Sequence, residues 1–457
     1  MTILIKNGTL INSNEKKRSD IFIEDGKISK ISENINLCSD HIIDAEGCFV
    51  FAGFIDTHTH LDLDLAVTTT ADNFETGTKA AVLGGTTTVL DFATQDKGMS
   101  LEDALKKWHC KADGNSNCNY GFHMAVSEWN DKIKSEIDTM IREGITSFKM
   151  YMVYPAMRVN NGQIYDAIKF LESKDCIVGV HCEEYDLLNA KIDELHNQGR
   201  YDAMAHSLSR PDIVEAAGVS SLMYTAELAN APAWIVHLSC EESLKVAKAA
   251  RKRGIEVYIE TCPQYMILDE SQYAEEDGFK YIMSPPLRHK NDREAILRAM
   301  NENVIDFIGT DHCSFTMEQK ALGNGDFAKV PNGGAGIQNR AELVYTYGVN
   351  NGYISLEQMS ALLSENASKI FGMYPEKGCL KEGSDADIVV FDPNYPHIIS
   401  YKTNSHNCDN SPYEGVQVDG KVRDVLVNGE IVVENYSFIK QHCGKYVYRK
   451  KSQRTRK

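Results

Sequence analysis

No stretch of this 457-residue chain approaches the roughly 20 consecutive apolar residues that a membrane-spanning helix requires. The opening MTILIKNGTL lacks the charged-then-apolar layout of an export signal. Cysteine is too dilute for a disulfide scaffold. Twelve are scattered along the chain and none form a CxxC pair, which excludes a zinc ribbon and a thioredoxin-like motif. Cys176 and Cys262 fall inside apolar runs, as buried thiols in a reducing compartment do. Positive charge is the other shortage: 48 Lys and Arg against 65 Asp and Glu give a formal net charge of −17, which argues against nucleic acid as the main partner. Only the last nine residues, RKKSQRTRK, reverse the sign, and they are read as a solvated, disordered tail. These absences predict a soluble cytoplasmic protein with neither a membrane nor a nucleic-acid partner.

Two textures organise what is present. From residue 1 to 53, short alternating runs (ILIKNG, DIFIEDGKISKI, HIIDAEGCFVFAG) are punctuated by turns, with Asp25-Gly26 a hairpin signal. The same texture returns over 375–440, in GSDADIVVFD and VQVDGKVRDVLVNGEIVV, with turns at Asp419-Gly420 and Asn428-Gly429. Neither end is large enough to bury its own core, so one small β-sandwich built from both termini is predicted, followed by a basic tail over 441–457. Between them, over 54–374, apolar runs alternate with segments of helical period. Eight such runs (CFVFAGFID, TTTVLDFA, YGFHMAV, TSFKMYM, CIVGVHC, WIVHLSC, IEVYIETC and VIDFIGTD) predict a parallel (β/α)8 barrel.

A barrel carries its chemistry at the C-terminal ends of its strands. The ionisable residues in that position are His58 and His60 on the first run, Lys149 on the fourth, His181 on the fifth, His237 on the sixth and Asp311 on the eighth. Taken singly, each has a plainer role. A strand-end histidine is usually a hydrogen-bonded structural residue, and His123 in YGFHMAV is read that way. Asp311 alone would cap a turn, and Lys149 alone would snorkel or form a Schiff base. Four histidines and an aspartate at one rim instead match a two-metal hydrolytic site. His58 and His60, two apart on a strand, point the same way and can reach one ion. A protonated lysine would repel two cations, so Lys149 is expected to carry CO2 as a carbamate whose two oxygens bridge the metals.

With these residues in place, the chain resembles the amidohydrolase superfamily, and within it the dihydropyrimidinase/D-hydantoinase group of cyclic amidohydrolases. The segments that carry the resemblance are GFIDTHTHLD, SFKMYMVY, VHCEE, VHLS, SPPLR, GTDHCSF and VPNGG, with EGSDADIVVFDP and NSPYEGVQVDGKV in the flanking sandwich. SPPLR and PNGG are more specific than the histidines. The resemblance implies that His58, His60 and Asp311 hold one metal, His181 and His237 the other, and N6-carboxylated Lys149 bridges them. It implies two zinc ions, which imidazole and carboxylate also suit. It gives Tyr154 the substrate oxyanion, and Ser284 and Asn332 the ureide edge of the ring. The implied reaction is hydrolysis of a dihydropyrimidine or 5-substituted hydantoin to an N-carbamoyl amino acid by a hydroxide activated between two metals. Asp311 shuttles the proton, and the small-molecule enzyme is a homotetramer.

Three rivals are set against this. Allantoinase and dihydroorotase share the metal ligands but differ at the substrate segments. Some relatives have lost the ligands and act as non-catalytic assembly proteins, which the complete set here opposes. A Schiff-base lyase built on Lys149 is opposed by the surrounding histidines. Arg158, in the YPAMRVNN loop, is read as a surface arginine, with a preference for a polar or acidic ring substituent as the sharper alternative.

Overall fold

Each of the eight apolar runs supplies one strand of a single parallel sheet in the computed structural model, which describes residues 1–453. The strands are β1 (Phe54–Thr59), β2 (Thr86–Thr94), β3 (Asn119–Ala125), β4 (Ser147–Tyr151), β5 (Ile177–His181), β6 (Ala233–Ile235), β7 (Val257–Thr261) and β8 (Phe307–Ile308). They pair in sequence order, with Tyr151 opposite His181 and His123 opposite Phe92. Nearly every strand residue is buried, as in a sheet covered on both faces, which is why the runs read as continuously apolar. The circle closes between β1 and the segment after β8. Thr59 bridges to His312, and the His60 amide donates to the His312 carbonyl at 2.8 Å.

The barrel interior is filled by Ile55, Leu90, Phe92, Tyr151, Trp234 and Phe307, with Phe371 packed against Trp234 and Phe307. His123 belongs to this core. Its ring stacks on Phe92 with centroids 4.9 Å apart, Nδ1 lies 2.5 Å from Ser147 Oγ and Nε2 lies 3.1 Å from the Thr57 carbonyl. The structural role expected of it is the one it has.

The terminal strands interleave as predicted. In a seven-stranded sheet, Phe49–Ala52 pairs in parallel with Thr9–Asn12 and antiparallel with Ile388–Asp392, so strands from both ends of the chain are neighbours. A four-stranded sheet of N-terminal strands packs on it, and Ile3, Ile21, Leu10, Val50, Ile388 and Leu426 share the buried layer between them. The first long run, CFVFAGFID, therefore serves two domains and divides at Gly53. A Cβ there would stand 2.0 Å from Thr87 Oγ1, so the chain can pass this close to β2 only as glycine. Asp25-Gly26 (φ 50°, 75°) and Asn428-Gly429 (φ 53°, 76°) form left-handed turns of hairpins. Asp419-Gly420 does not join a hairpin. It separates Gln417–Val418, which pairs with His397–Ile398, from the Lys421–Val427 strand of the seven-stranded sheet.

The disordered reading of residues 449–457 is corrected over 449–453, which pack with the preceding residues 441–448 on the barrel, while 454–457 lie outside the described residues. The Val447 amide donates to the Tyr120 carbonyl (2.8 Å), the Lys450 amide donates to Gly372 (2.9 Å), and Tyr446 stacks near Phe122 with centroids 5.6 Å apart. Arg449 is 4 % exposed, and its guanidinium donates to Ser147 Oγ at 2.6 Å and to the Phe122 carbonyl. The apolar and aromatic residues ahead of the charges make the segment adhere, a signal that the charge run concealed. Among the described residues, no helix is long and apolar enough to cross a membrane.

Arg449→Ala leaves the Phe122 carbonyl buried without this donor, a loss of about 1–3 kcal/mol. A lowered thermal midpoint is expected, whereas an unchanged melt would return the segment to the role of a passive tail.

Candidate active site

The six rim residues converge. His58 and His60 end β1, and each presents Nε2 at 3.2 Å from the same Asp311 oxygen. These three side chains could grip one metal ion, with their ligand atoms all within 4.8 Å of one another. His181 ends β5 and His237 follows β6, with ring centroids 4.5 Å apart, and the His237 ring lies 5.4 Å from that of His58. Lys149 rises from β4 into the same space, 1 % exposed, with Nζ above the Phe92 and Tyr151 rings.

Electrostatics prepares these groups for metal. Burial pushes His58, His181 and His237 below the ordinary histidine range, and the Lys149 charge adds to it, so the imidazoles stay neutral and keep a lone pair to offer. Burial raises the Asp311 carboxyl, but His58, His60 and His237 outweigh it and hold the group well below the carboxylate range. Burial pushes the Lys149 amine down to about 8, against the opposing pull of Glu260 and Asp311. That enlarges the fraction of neutral amine, the form that can accept CO2.

Several buried polar atoms here have no hydrogen-bond partner among the described residues: Lys149 Nζ, His60 Nδ1, His237 Nδ1 and Glu260 Oε2. So many unpaired groups around one cavity are costly in a closed protein interior. Imidazole and carboxylate are ligands for a hard or borderline divalent cation, so the histidines and Asp311 fit a divalent metal ion.

The residues that orient this set were not identified from the sequence. Glu260, on β7, lies 2.5 Å from His58 Nδ1 and leaves Nε2 to face Asp311. Its signal was period two: Tyr258 points into the barrel, so Glu260 does too. Glu183 lies 2.7 Å from His181 Nε2 and pairs with Arg210 at 2.6 Å. Arg288 of SPPLR pairs with Glu215 at 2.8 Å and donates to Ser239, two residues after His237. Such partners fix ring orientation and tautomer.

The remaining expected residues fall into two places. Tyr154 lies beside His181, ring centroids 5.4 Å apart, and Ser284 Oγ donates to Asn332 Oδ1 at 2.9 Å across 48 residues of sequence. Ser284 also acts on the Tyr154 phenol, opposing the rise of its pKa. Arg158 instead lays its guanidinium over Tyr185, 4.2 Å from the ring centroid, a contact that accounts for it without any substrate group.

The rim brings together four imidazoles and a carboxylate, the layout of a barrel hydrolase that borrows its nucleophile from water. The amidohydrolase family model matches residues 49–432. A D-hydantoinase of Geobacillus stearothermophilus is 40% identical, covering 99% of this chain and 97% of that protein. A D-phenylhydantoinase of Escherichia coli (strain SE11) is 36% identical over 98% of both. The solved dihydropyrimidinase from Brevibacillus agri NCHU1002 superposes with a TM-score of 0.98, covering 100% of both chains at 38% identity. The chain belongs to the amidohydrolase family, in its dihydropyrimidinase and D-hydantoinase group, a family that uses divalent metal.

Glu260→Gln, which replaces the carboxyl group facing His58 by an amide, is expected to weaken metal retention about 10–100-fold. Chelator competition followed by elemental analysis reads this, and wild-type retention would remove Glu260 from the site.

Proposed function

We propose that this cyclic amidohydrolase opens dihydropyrimidines or 5-substituted hydantoins to N-carbamoyl amino acids. His58, His60 and Asp311 would hold one divalent ion, His181 and His237 a second, and carboxylated Lys149 would bridge the pair, with zinc the metal. When bound, the ions would polarise the scissile carbonyl and lower the pKa of a water. Burial pushes the Tyr154 phenol up to about 12, with Glu183 adding to the rise and Arg210 and Ser284 opposing it. It therefore remains a donor at neutral pH, suited to the oxygen on which charge develops. Asp311, held ionised, accepts the proton of the attacking water and returns it to the departing ring nitrogen. Ser284 and Asn332 hold the ureide edge.

The observation that supports this reading is the hydrogen bond between Ser284 and Asn332, which joins the two most group-specific segments, together with the position of Tyr154 beside His181. A homotetramer working in the cytoplasm is part of the proposal. Ile213, Tyr224 and Leu228, on one face of helix Asp212–Ala229, are 59 %, 64 % and 74 % exposed, an apolar face that a second copy could cover.

Ring opening of dihydrouracil, 5-phenylhydantoin, allantoin and dihydroorotate, each with and without prior chelation, tests the reaction. Chelator-sensitive opening of either of the first two is expected, and opening of allantoin or dihydroorotate alone would overturn the substrate class. Tyr154→Phe is expected to lower kcat by about 10²–10³. Carbon NMR of native enzyme loaded with 13C-bicarbonate should show a carbamate resonance that is lost in Lys149→Ala, and active enzyme without that resonance would refute the bridge.

A further inference from the structure

Lys320 is a buried lysine that the reaction does not use. It lies in the short helix Met317–Ala321 that follows β8 and is 2 % exposed. No carboxylate compensates it among the described residues, and burial pushes its amine down to about 7. A lysine in that situation is expensive unless its donors are used. All three are used: Nζ donates to the carbonyls of Ile282 (2.8 Å), Pro331 (2.7 Å) and Gly333 (2.7 Å). These carbonyls belong to two loops distant in sequence. Ile282 stands two residues before Ser284, and Pro331 and Gly333 flank Asn332 on either side.

Each loop is tied to its surroundings elsewhere, but the ties between the two are few. Gly333 N donates to Ile282 O at 3.0 Å, and Ser284 Oγ reaches Asn332 Oδ1 at 2.9 Å. The ammonium adds the remaining connection. An ammonium presents its three donors in a fan, which suits three carbonyls converging from different directions, whereas a guanidinium presents its donors in one plane. The helix that bears Lys320 is itself anchored. Gln319 Nε2 donates to Thr68 Oγ1 and to the Thr69 carbonyl, in the loop that follows His58 and His60.

We propose that Lys320 is a positioning residue for substrate recognition, clamping the Ser284 and Asn332 loops in the register that grips the ureide edge. The proposal rests on the assignment of Ser284 and Asn332 to the substrate. Lys320 touches neither the metal ligands nor the reacting atoms, so its loss acts on how the ring is held.

The test is steady-state ring opening by Lys320→Met and Lys320→Arg, alongside wild type, with metal content measured on each preparation. Met removes all three donors, and Arg keeps the charge but cannot fan its donors, so Arg remains informative if Met fails to fold. KM is expected to rise about tenfold or more with kcat within about threefold and metal content unchanged, the pattern of lost binding made equally in ground and transition states. A merely structural lysine would reduce the active fraction, lowering apparent kcat while leaving KM alone. Wild-type KM in a folded variant, or a fall in kcat that tracks lost metal, would overturn the proposal. Wild-type enzyme that opens none of the cyclic ureides would overturn the assignment of Ser284 and Asn332 and the clamp with it. Wild-type turnover with unchanged variant KM would overturn the clamp alone.

Discussion

The hydrogen-bonded closure between the first and last strands is the constraint on which the site depends. His58 and His60 are separated from Asp311 by about 250 positions, yet the three must address one point. β8 contributes only two residues, too few for a backbone ladder to hold the edge. Side chains complete it. Asp56 accepts from the Thr310 amide at 3.1 Å and from its hydroxyl at 2.6 Å. Arg340, buried, donates to the Ile55 carbonyl at 2.8 Å and the Ile308 carbonyl at 2.9 Å, bridging the two strands from the far side. Buried charge is normally a liability, but here each such group is matched to carbonyls or to an opposite charge, so it fixes the register.

A second consequence of closure is local strain. His237, Asp311 and Tyr154 have φ of 38°, 53° and 64°, a region that side-chain-bearing residues seldom occupy. All three lie just past a strand end, where the chain must leave the barrel and still point a functional group inward. Such conformations persist only where surrounding contacts over-determine them. Glu260, Glu183 and the Asp56–Thr310 bonds provide that determination, which links the orientation of each ligand to the packing of the barrel below.

The fold was legible because a fully buried parallel strand leaves an unmistakable apolar run, and eight of them alternated with helical segments. The metal-type residues were legible because they sit at the ends of those runs. Glu260 was hidden although it occupies the same kind of position, since a carboxylate amid IEVYIETC has meaning only once Tyr258 is known to face inward. Glu183, Arg210, Glu215 and Arg288 form pairs across separate helices and loops, and no spacing encodes such pairing. The turn at Asp419-Gly420 was legible, but not that it links strands of different sheets, nor that a Cβ on Gly420 would press against the Phe391 ring at 2.5 Å. The C-terminal segment was read by its charge, while its tyrosines decided where it went.

That segment also bears on how the molecule comes into being. The strand Phe49–Ala52 waits for Ile388–Asp392 as a sheet neighbour, and the barrel base waits for Tyr446 and Arg449 near the very end of the chain. Domains normally acquire structure from the N-terminus as they are synthesised. Here the first domain begun is completed only after the barrel strands have been made, and Phe122 lacks its contacts with Tyr446 and Arg449 until residues more than 320 positions downstream have joined the chain.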